Sequence, residues 1–341
     1  MAATIKDIAR ELNISISTVS YALNGGPRSV PEGTRALVME KARALGYRPN
    51  RNARSLITGR SYSIGIVPSM LGPNLALGPY FQLALNGIIN RAEEEDQDVL
   101  VFARHDVCDE GIVDDLLDGR VDGVIFLAPP SGAASIEIIK RGGLPHVVLG
   151  SSDYSACSYV VDNAQGVRLG MQHLYDLGHR RIAYMSGFKT MSDSHTRLAA
   201  YVDFMDSRGL EVPDSYIGQG DFTLGGSYPA ARAILAQRPA PTAVYCANDE
   251  MAFAIQRAAH ELGARVPEDL SVAGFDDNPF SSYVVPALTT VRQPISEMGS
   301  AALSAVVGAV RTQASVESRR FPAELIVRLS TSRPKEDANL S

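Results

Sequence analysis

The spacing of apolar residues changes period along the chain, and each change marks a different kind of structure. Near the start, Ile5, Ile8, Ala9 and Leu12 fall at i, i+3, i+4 and i+7, one face of a short helix. Asn13 follows where the chain must turn, and Asn tolerates the left-handed backbone found there. Ser15 is a good N-cap for a second helix, whose inner face is Val19, Ala22 and Leu23. Its outward face is Ile16, Ser17 and Tyr21, with Thr18 and Ser20 beside them. A third helix is expected from about Pro31, suited to a first turn, to Leu45, before Gly46 and Pro49. On it, Leu37, Val38, Lys41, Ala44 and Leu45 lie towards one side. Two short helices joined by a tight turn make a helix-turn-helix, whose second helix can enter a DNA major groove. On pattern alone they also fit the surface of any small domain.

From Tyr62 the pattern becomes strand then helix, repeated. Strands are read at 63–67, 98–102, 123–127 and 146–149, with helices at 79–95, 110–117 and 135–141 between them. Residues 159–163 open a second series, with strands at 181–185, 243–246 and 271–275 and helices at 166–177, 196–208, 227–236 and 250–262. The segment 288–292 reads as a strand returning to the first lobe, 296–310 as a helix there, and 317–330 as closing strands. Such alternation means βαβ units on parallel sheets. The fold class is therefore an all-α helix-turn-helix head plus an α/β body of two lobes, with a cleft beyond the carboxyl ends of the strands. The expected domains are a head over 1–48, a hinge or linker over 49–60, a two-lobed body over 61–332 and a polar tail over 333–341.

Composition sharpens this picture at one point. The net charge of −6 conceals a basic head: residues 1–60 carry ten Lys or Arg against four acids, net +6, leaving −12 for the rest. A basic head on an acidic body fits phosphate binding at one end. No run of about 18 apolar residues exists, and no signal-peptide core precedes the first helix, so the expectation is a cytoplasmic protein without a membrane partner. Cys108, Cys157 and Cys246 are isolated and odd in number, which suggests a reducing compartment and buried thiols.

The head resembles that of the lac repressor/gal repressor (LacI/GalR) family of bacterial transcription regulators. The residues that carry the likeness are Ile5-Lys6-Asp7-Ile8-Ala9, Ser15, Thr18-Val19-Ser20, Leu23-Asn24, Thr34-Arg35, Leu45-Gly46-Tyr47 and Pro49-Asn50, and the likeness continues to about Ser332. Asn13 stands where the family usually has Gly, and Pro31 where Ser is usual. The resemblance implies a periplasmic-binding-protein-like body. It also implies DNA contact by Thr4, Ser15, Ile16, Ser17, Thr18, Ser20, Tyr21, Asn24 and Asn50. In the family, residues matching 50–57 form a hinge helix in the minor groove; Leu56 matches its wedging leucine and Ala53 its helix–helix face. Without a partner such a helix is too short to be stable.

Several polar or aromatic groups sit at strand ends or helix starts, where a cleft forms: Ser69, Arg197, Phe222, Asn248, Asp276 and Gln293, with Phe81 at the cleft mouth. By resemblance they supply an effector pocket. Arg197 would offer a fork to paired ligand oxygens, Asp276 and Asn248 would bind hydroxyls, and Phe222 would stack on an apolar ligand face. Tyr80 is a candidate beside Phe81, with core packing the alternative. Asp249 and Asp277 read as helix caps. Sugar-responsive members often carry Asp where this chain has Gly150, so a first-lobe carboxylate is missing or displaced to Asp153.

No dinucleotide fingerprint follows a strand, and neither a Walker A sequence nor a nucleophile elbow is present, so neither an enzyme nor a cofactor is expected. The combined reading is a ligand-responsive regulator, a repressor. It would bind near-palindromic double-stranded operator DNA as a homodimer and respond to a small molecule, first a sugar. The alternatives are a regulator answering to a nucleoside or nucleobase, or a solute-binding protein. The nine-residue polar tail is too short for a coiled coil, which favours a dimer over a tetramer.

Overall fold

The computed structural model describes residues 3–24, 28–47, 59–69, 78–154 and 157–335. The hinge candidates Asn50, Ala53 and Leu56, and the side chain of Asn24, lie outside the described residues. The chain divides into two units, Met1–Tyr62 and Ser63–Ser341.

In the first unit, α1 (Ile5–Leu12), α2 (Ile16–Asn24) and α3 (Glu32–Ala44) enclose a small core of Ile8, Ala9, Val19, Ala22, Val38 and Ala42. Asp7 accepts hydrogen bonds from both the backbone N–H and the hydroxyl of Thr4, which fixes the start of α1. Asn13 takes the left-handed conformation, φ 51°. Ser15 Oγ accepts the Thr18 N–H at 3.0 Å, the N-cap bond expected of it. Pro31 is itself the N-cap of α3, one position earlier than a first helical residue. On α3 the buried pair is Val38 and Ala42, whereas Leu37 is exposed, so the inner face is rotated from the sequence reading.

The second unit contains two six-stranded sheets. The first has the order β11-β5-β4-β3-β1-β2, built from β1 (Ser63–Pro68), β2 (Asp98–Val101), β3 (Gly123–Leu127), β4 (His146–Leu149), β5 (Ser158–Val161) and β11 (Arg319–Phe321), all parallel. The period of two divides its side chains between two cores. Ile64, Ile66, Ile125 and Leu127 face α4 (Pro79–Glu94) and α11 (Ile295–Thr312). Val67, Val124 and Phe126 face the side holding α5 (Gly111–Leu117) and α6 (Ala134–Gly142). Helices α4 and α11 cross at glycines: a Cβ on Gly87 would lie 1.9 Å from the Ser296 carbonyl oxygen, and one on Gly299 2.4 Å from that of Ala84. Any larger residue there would force the pair apart.

The second sheet has the order β12-β10-β9-β8-β6-β7. Its strands are β6 (Ile182–Ser186), β7 (Ile217–Gln219), β8 (Ala243–Cys246), β9 (Ser271–Asp276), β10 (Thr289–Arg292) and β12 (Glu324–Ile326), with β12 antiparallel to β10. Helices α7 (Asn163–Asp176), α8 (Ser192–Ser207), α9 (Leu224–Leu235) and α10 (Asp249–Glu261) cover it. Tyr184 stacks on Tyr201 and Tyr245 in its core, centroids 4.8 and 6.2 Å away.

Two assignments are corrected. The strand at 159–163, expected to open the second series, is β5, which pairs with β4 and β11 in the first sheet. β10 pairs with β9 and belongs to the second lobe; the chain returns to the first lobe only after Arg292, through α11. The apolar run 288–291 is compatible with either sheet, and only its pairing decides. Three connections therefore join the lobes: β5 to α7, β10 to α11, and β11 to β12. The first and third lie side by side. Asp162 N–H donates to the Phe321 carbonyl at 2.7 Å, and Ala323 N–H to Gln165 Oε1 at 3.1 Å. Cys108 is exposed, contrary to expectation; Cys157 and Cys246 are buried. Among the described residues no helix is long and apolar enough to cross a membrane.

Candidate ligand pocket and nucleic-acid interface

All seven body residues singled out from the sequence line one solvent-open cavity between the lobes. Strand ends of the first sheet bring Ser69, Ala128 and Gly150 to it, and the first turn of α4 brings Tyr80 and Phe81. The second lobe contributes Asp193 and Arg197 from α8, the Phe222 loop, Asn248 and Glu250 at the start of α10, and Asp276 at the end of β9. Gln293 stands on the connection between β10 and α11.

The backbone is unusual around this space. Ala128, Phe222 and Asp276, all lining residues, have φ of 46°, 63° and 116°. Side-chain-bearing residues avoid that region at a cost of roughly 1–3 kcal/mol and adopt it mainly where function holds them. Asn248 helps to hold Phe222. Its Oδ1 caps α10 by accepting the Met251 N–H at 2.9 Å, and its Nδ2 donates to the Phe222 carbonyl at 3.0 Å. Much of its amide is thus engaged by the protein itself, which the sequence reading as a ligand group did not anticipate.

Arg197 is 3% exposed and heavily committed. Its Nε donates to Asn163 Oδ1 at 2.7 Å, its Nη1 to the Ala247 carbonyl at 2.5 Å, and its guanidinium lies 3.8 Å from the centre of the Phe275 ring. Asp193 and Asp276 flank it, each at 3.7 Å. The free fork read from sequence is therefore only partly available: two donors hold the lobe together and the remainder faces carboxylates.

Asp276 Oδ1 accepts from Gln293 Nε2 at 2.5 Å. Burial pushes its carboxyl up to about 7, against the opposing pull of Arg197. Behind it, Asp249 is driven up to about 8 by burial and by the Asp276 charge. Asp249 is no helix cap: its carboxylate takes the Asn278 N–H, the Ser281 hydroxyl and the Thr290 hydroxyl at 2.5–2.7 Å. Nor does Asp277 cap a helix; it pairs with Arg292 at 2.8 Å and Arg328 at 2.6 Å.

Sequence reasoning missed Asp193 and Glu250 and left Tyr80 open. Asp193 was lost because α8 begins at Ser192, a turn before the expected start at Thr196. Glu250 looks like an ordinary first-turn acid. Burial raises both carboxyls above the usual carboxylate range. The hydroxyls of Ser69 and Tyr80 and the Oδ1 of Asp193 are buried with no hydrogen-bond partner among the described residues. Three such atoms on one cavity wall are what a polar ligand would satisfy. Gly150 is explained by its neighbour: its φ is +80°, and a Cβ there would lie 2.4 Å from the Tyr80 hydroxyl. Tyr80 fills the place where a longer residue would stand. Asp153 does not line the cavity and instead accepts from Ser131.

In the head, Thr4, Ser15, Ile16 and Ser17 are exposed, with Thr18 and Tyr21 half-buried. Ile16, 45% exposed on the first turn of α2, is an apolar group left facing outward. Ser20 is buried instead, at 8% exposure, and belongs to the inner side of the helix. The Ser15 hydroxyl is 2.8 Å from those of both Ser17 and Thr18, so the three are pre-arranged as one polar cluster.

The comparisons with known proteins agree with this division. Residues 4–50 match the family of bacterial regulatory proteins, lacI family, and residues 171–331 match a periplasmic binding protein-like domain. The chain is 33% identical over 308 residues to catabolite control protein A of Priestia megaterium, covering 89% of this chain and 91% of that protein. It is 31% identical to the ribose operon repressor of Escherichia coli (strain K12), covering 94% of this chain and 96% of that protein. The structure of the lac repressor dimer bound to operator and the anti-inducer ONPF superimposes with a TM-score of 0.85 at 29% identity, covering 97% of this chain and all of that one. With a head and body that both match over nearly the whole length, the chain belongs to the lacI family of bacterial regulatory proteins, which are DNA-binding transcriptional regulators.

Proposed function

We propose that the chain is a repressor that binds a near-palindromic operator as a homodimer and changes operator affinity when a small polyhydroxylated effector occupies the cavity. The observation that carries the proposal is the cavity wall, where unpartnered buried polar atoms come from both lobes: Ser69 and Tyr80 from the first, Asp193 from the second. A ligand that satisfies all three ties the lobes together, so it binds one arrangement of the lobes better than another. That differential affinity is what shifts a conformational equilibrium. Phe222 and Phe81 offer apolar faces for a sugar ring.

Dimer formation has its own support. Phe280, Tyr283, Val285 and Leu329 are 62–96% exposed, and the Leu329 N–H bonds to the Ala287 carbonyl at 2.9 Å, so they share one edge of the second lobe. An exposed apolar edge of this kind suits a second copy. The related lac repressor is a dimer on its operator.

The test is operator release. A gel-shift or anisotropy titration on operator DNA would be repeated with a panel of sugars and nucleosides. A compound that changes operator affinity at least fivefold in the wild type and not in Asp193→Asn supports the reading. Effects that survive Asp193→Asn and Tyr80→Phe alike place the effector elsewhere.

A further inference from the structure

Resting on the effector reading above, we infer that the effector carries a positively charged amine, as an unacylated amino sugar does, held against the second-lobe carboxylates Asp193, Glu250 and Asp276. The argument begins with charge. Those three acids line the cavity together with a single cation among the described residues, Arg197. Residues 70–77, which adjoin Ser69 and lie outside the described residues, read MLGPNLAL and add no charge. The guanidinium already serves two protein carbonyl groups and stands 3.7 Å from both Asp193 and Asp276. It therefore compensates about one carboxylate, and the other two are left to protons or to a cation brought by the ligand.

The surroundings deepen the deficit. The charged groups that act on Asp276 besides Arg197 are Glu250 and Asp193; Asp153 acts on Asp193, Asp221 on Glu250, and Asp276 itself on the buried Asp249. All but Arg197 are acids. Buried like charges are costly unless a cation or protons answer them. The three acids come from α8, α10 and the end of β9, all in the second lobe, and Asp193 and Asp276 flank one guanidinium at 3.7 Å, which suits a compact organic cation such as an ammonium. The second observation is uncharged: the Ser69 hydroxyl, 5% exposed, lines the cavity with no partner among the described residues, so the ligand also brings hydroxyl-like groups to the first lobe. Amine at one side and hydroxyls at the other describe an amino sugar. A neutral sugar uses the hydroxyl side and leaves the excess charge unanswered; a sugar phosphate adds to it.

Calorimetry on the full-length protein at pH 7.5 would use matched sets: D-glucosamine, D-galactosamine and D-mannosamine, each against its parent hexose and its N-acetyl derivative. The expectation is that at least one amine binds tenfold or more tighter than both matched neutral sugars. That amine's affinity should pass through a maximum between pH 6 and 8, rising as the carboxylates lose competing protons and falling as the amine, with a pKa of about 8 at most, loses its own; the ratio should fall towards one in Asp193→Asn/Glu250→Gln. Neutral sugars binding as tightly as their amines, or no amine binding at all, would overturn the inference. A neutral sugar that binds and alters operator affinity overturns this inference while leaving the effector reading intact. An amine that binds with no change in operator affinity overturns the effector reading and with it the claim that the effector is that amine, leaving only the pocket's preference for an amine.

Discussion

Gly150→Ala separates two physical effects at one position of the pocket wall. Gly150 has φ +80°, and an added Cβ would lie 2.4 Å from the Tyr80 hydroxyl oxygen and 3.2 Å from its Cζ. The left-handed backbone costs a Cβ-bearing residue about 1–2 kcal/mol. Overlap with a packed ring adds about 1–3 kcal/mol, because the ring or the strand end must shift. Together Gly150→Ala should destabilise the body by about 2–5 kcal/mol. In a Tyr80→Ala background the overlap is gone and only the backbone cost of about 1–2 kcal/mol remains, so the two substitutions should couple by about 1–3 kcal/mol. Urea unfolding followed by circular dichroism measures all four chains; the protein has no Trp, so tyrosine emission is a second probe. An equal cost of Gly150→Ala in both backgrounds would refute the claim that Tyr80 occupies the space. A Gly150→Ala chain as stable as wild type would refute both parts.

Further expectations follow from single observations. Ligand-free body stability should fall as pH rises from about 4 to about 8: Asp249 and Asp276 have folded pKa values near 8 and 7 against 3.8 unfolded, so in that window the folded state binds more protons; Asp249→Asn should flatten the slope, and thermal melts across that range read it directly. Arg197→Ala should cost roughly 3–5 kcal/mol, since it leaves Asp193 and Asp276 without their cation, and urea unfolding at pH 8 would show less than 1 kcal/mol if the guanidinium were a ligand group only. Selection of operator sites with Ile16→Ala or Tyr21→Ala should yield a changed half-site, because Ile16 is an exposed apolar side chain on the first turn of α2 and an apolar group can read a thymine methyl; an unchanged site removes both from the reading surface. Operator affinity should drop steeply with salt, given the ten basic residues of 1–60, and a flat salt profile by anisotropy would contradict phosphate binding by the head.

Much of the architecture was legible because it rests on local pattern. The 3.6-residue and two-residue periods located nearly every helix and strand, and Asn13 and Ser15 announced the turn and the cap that the head uses. What the sequence concealed depends on pairing between distant segments. β10 looks the same whether it joins β9 or the other sheet, and only register with Ala273 to Asp276 assigns it. The pocket shows the same division. A polar residue at a strand end is a visible signal, so Ser69, Asp276 and Gln293 were found, but the local pattern does not say what each would bind. Arg197 is taken by Asn163 and Ala247, which lie 34 and 50 residues away in the chain. Asn248 is taken by the backbone of the Phe222 loop. Asp193 and Glu250 read as helix-start acids until the fold turns them to face Asp276. Gly150 shows how such dependence reaches function. Read by itself it is a missing carboxylate; read against Tyr80, 70 positions earlier, it is the vacancy a tyrosine hydroxyl needs. The acid absent from the first lobe has counterparts in the second, Asp193 and Glu250, so the pocket's charge lies on one lobe and its unpartnered hydroxyls on the other. A ligand polarised in the same sense is the one that draws the lobes together.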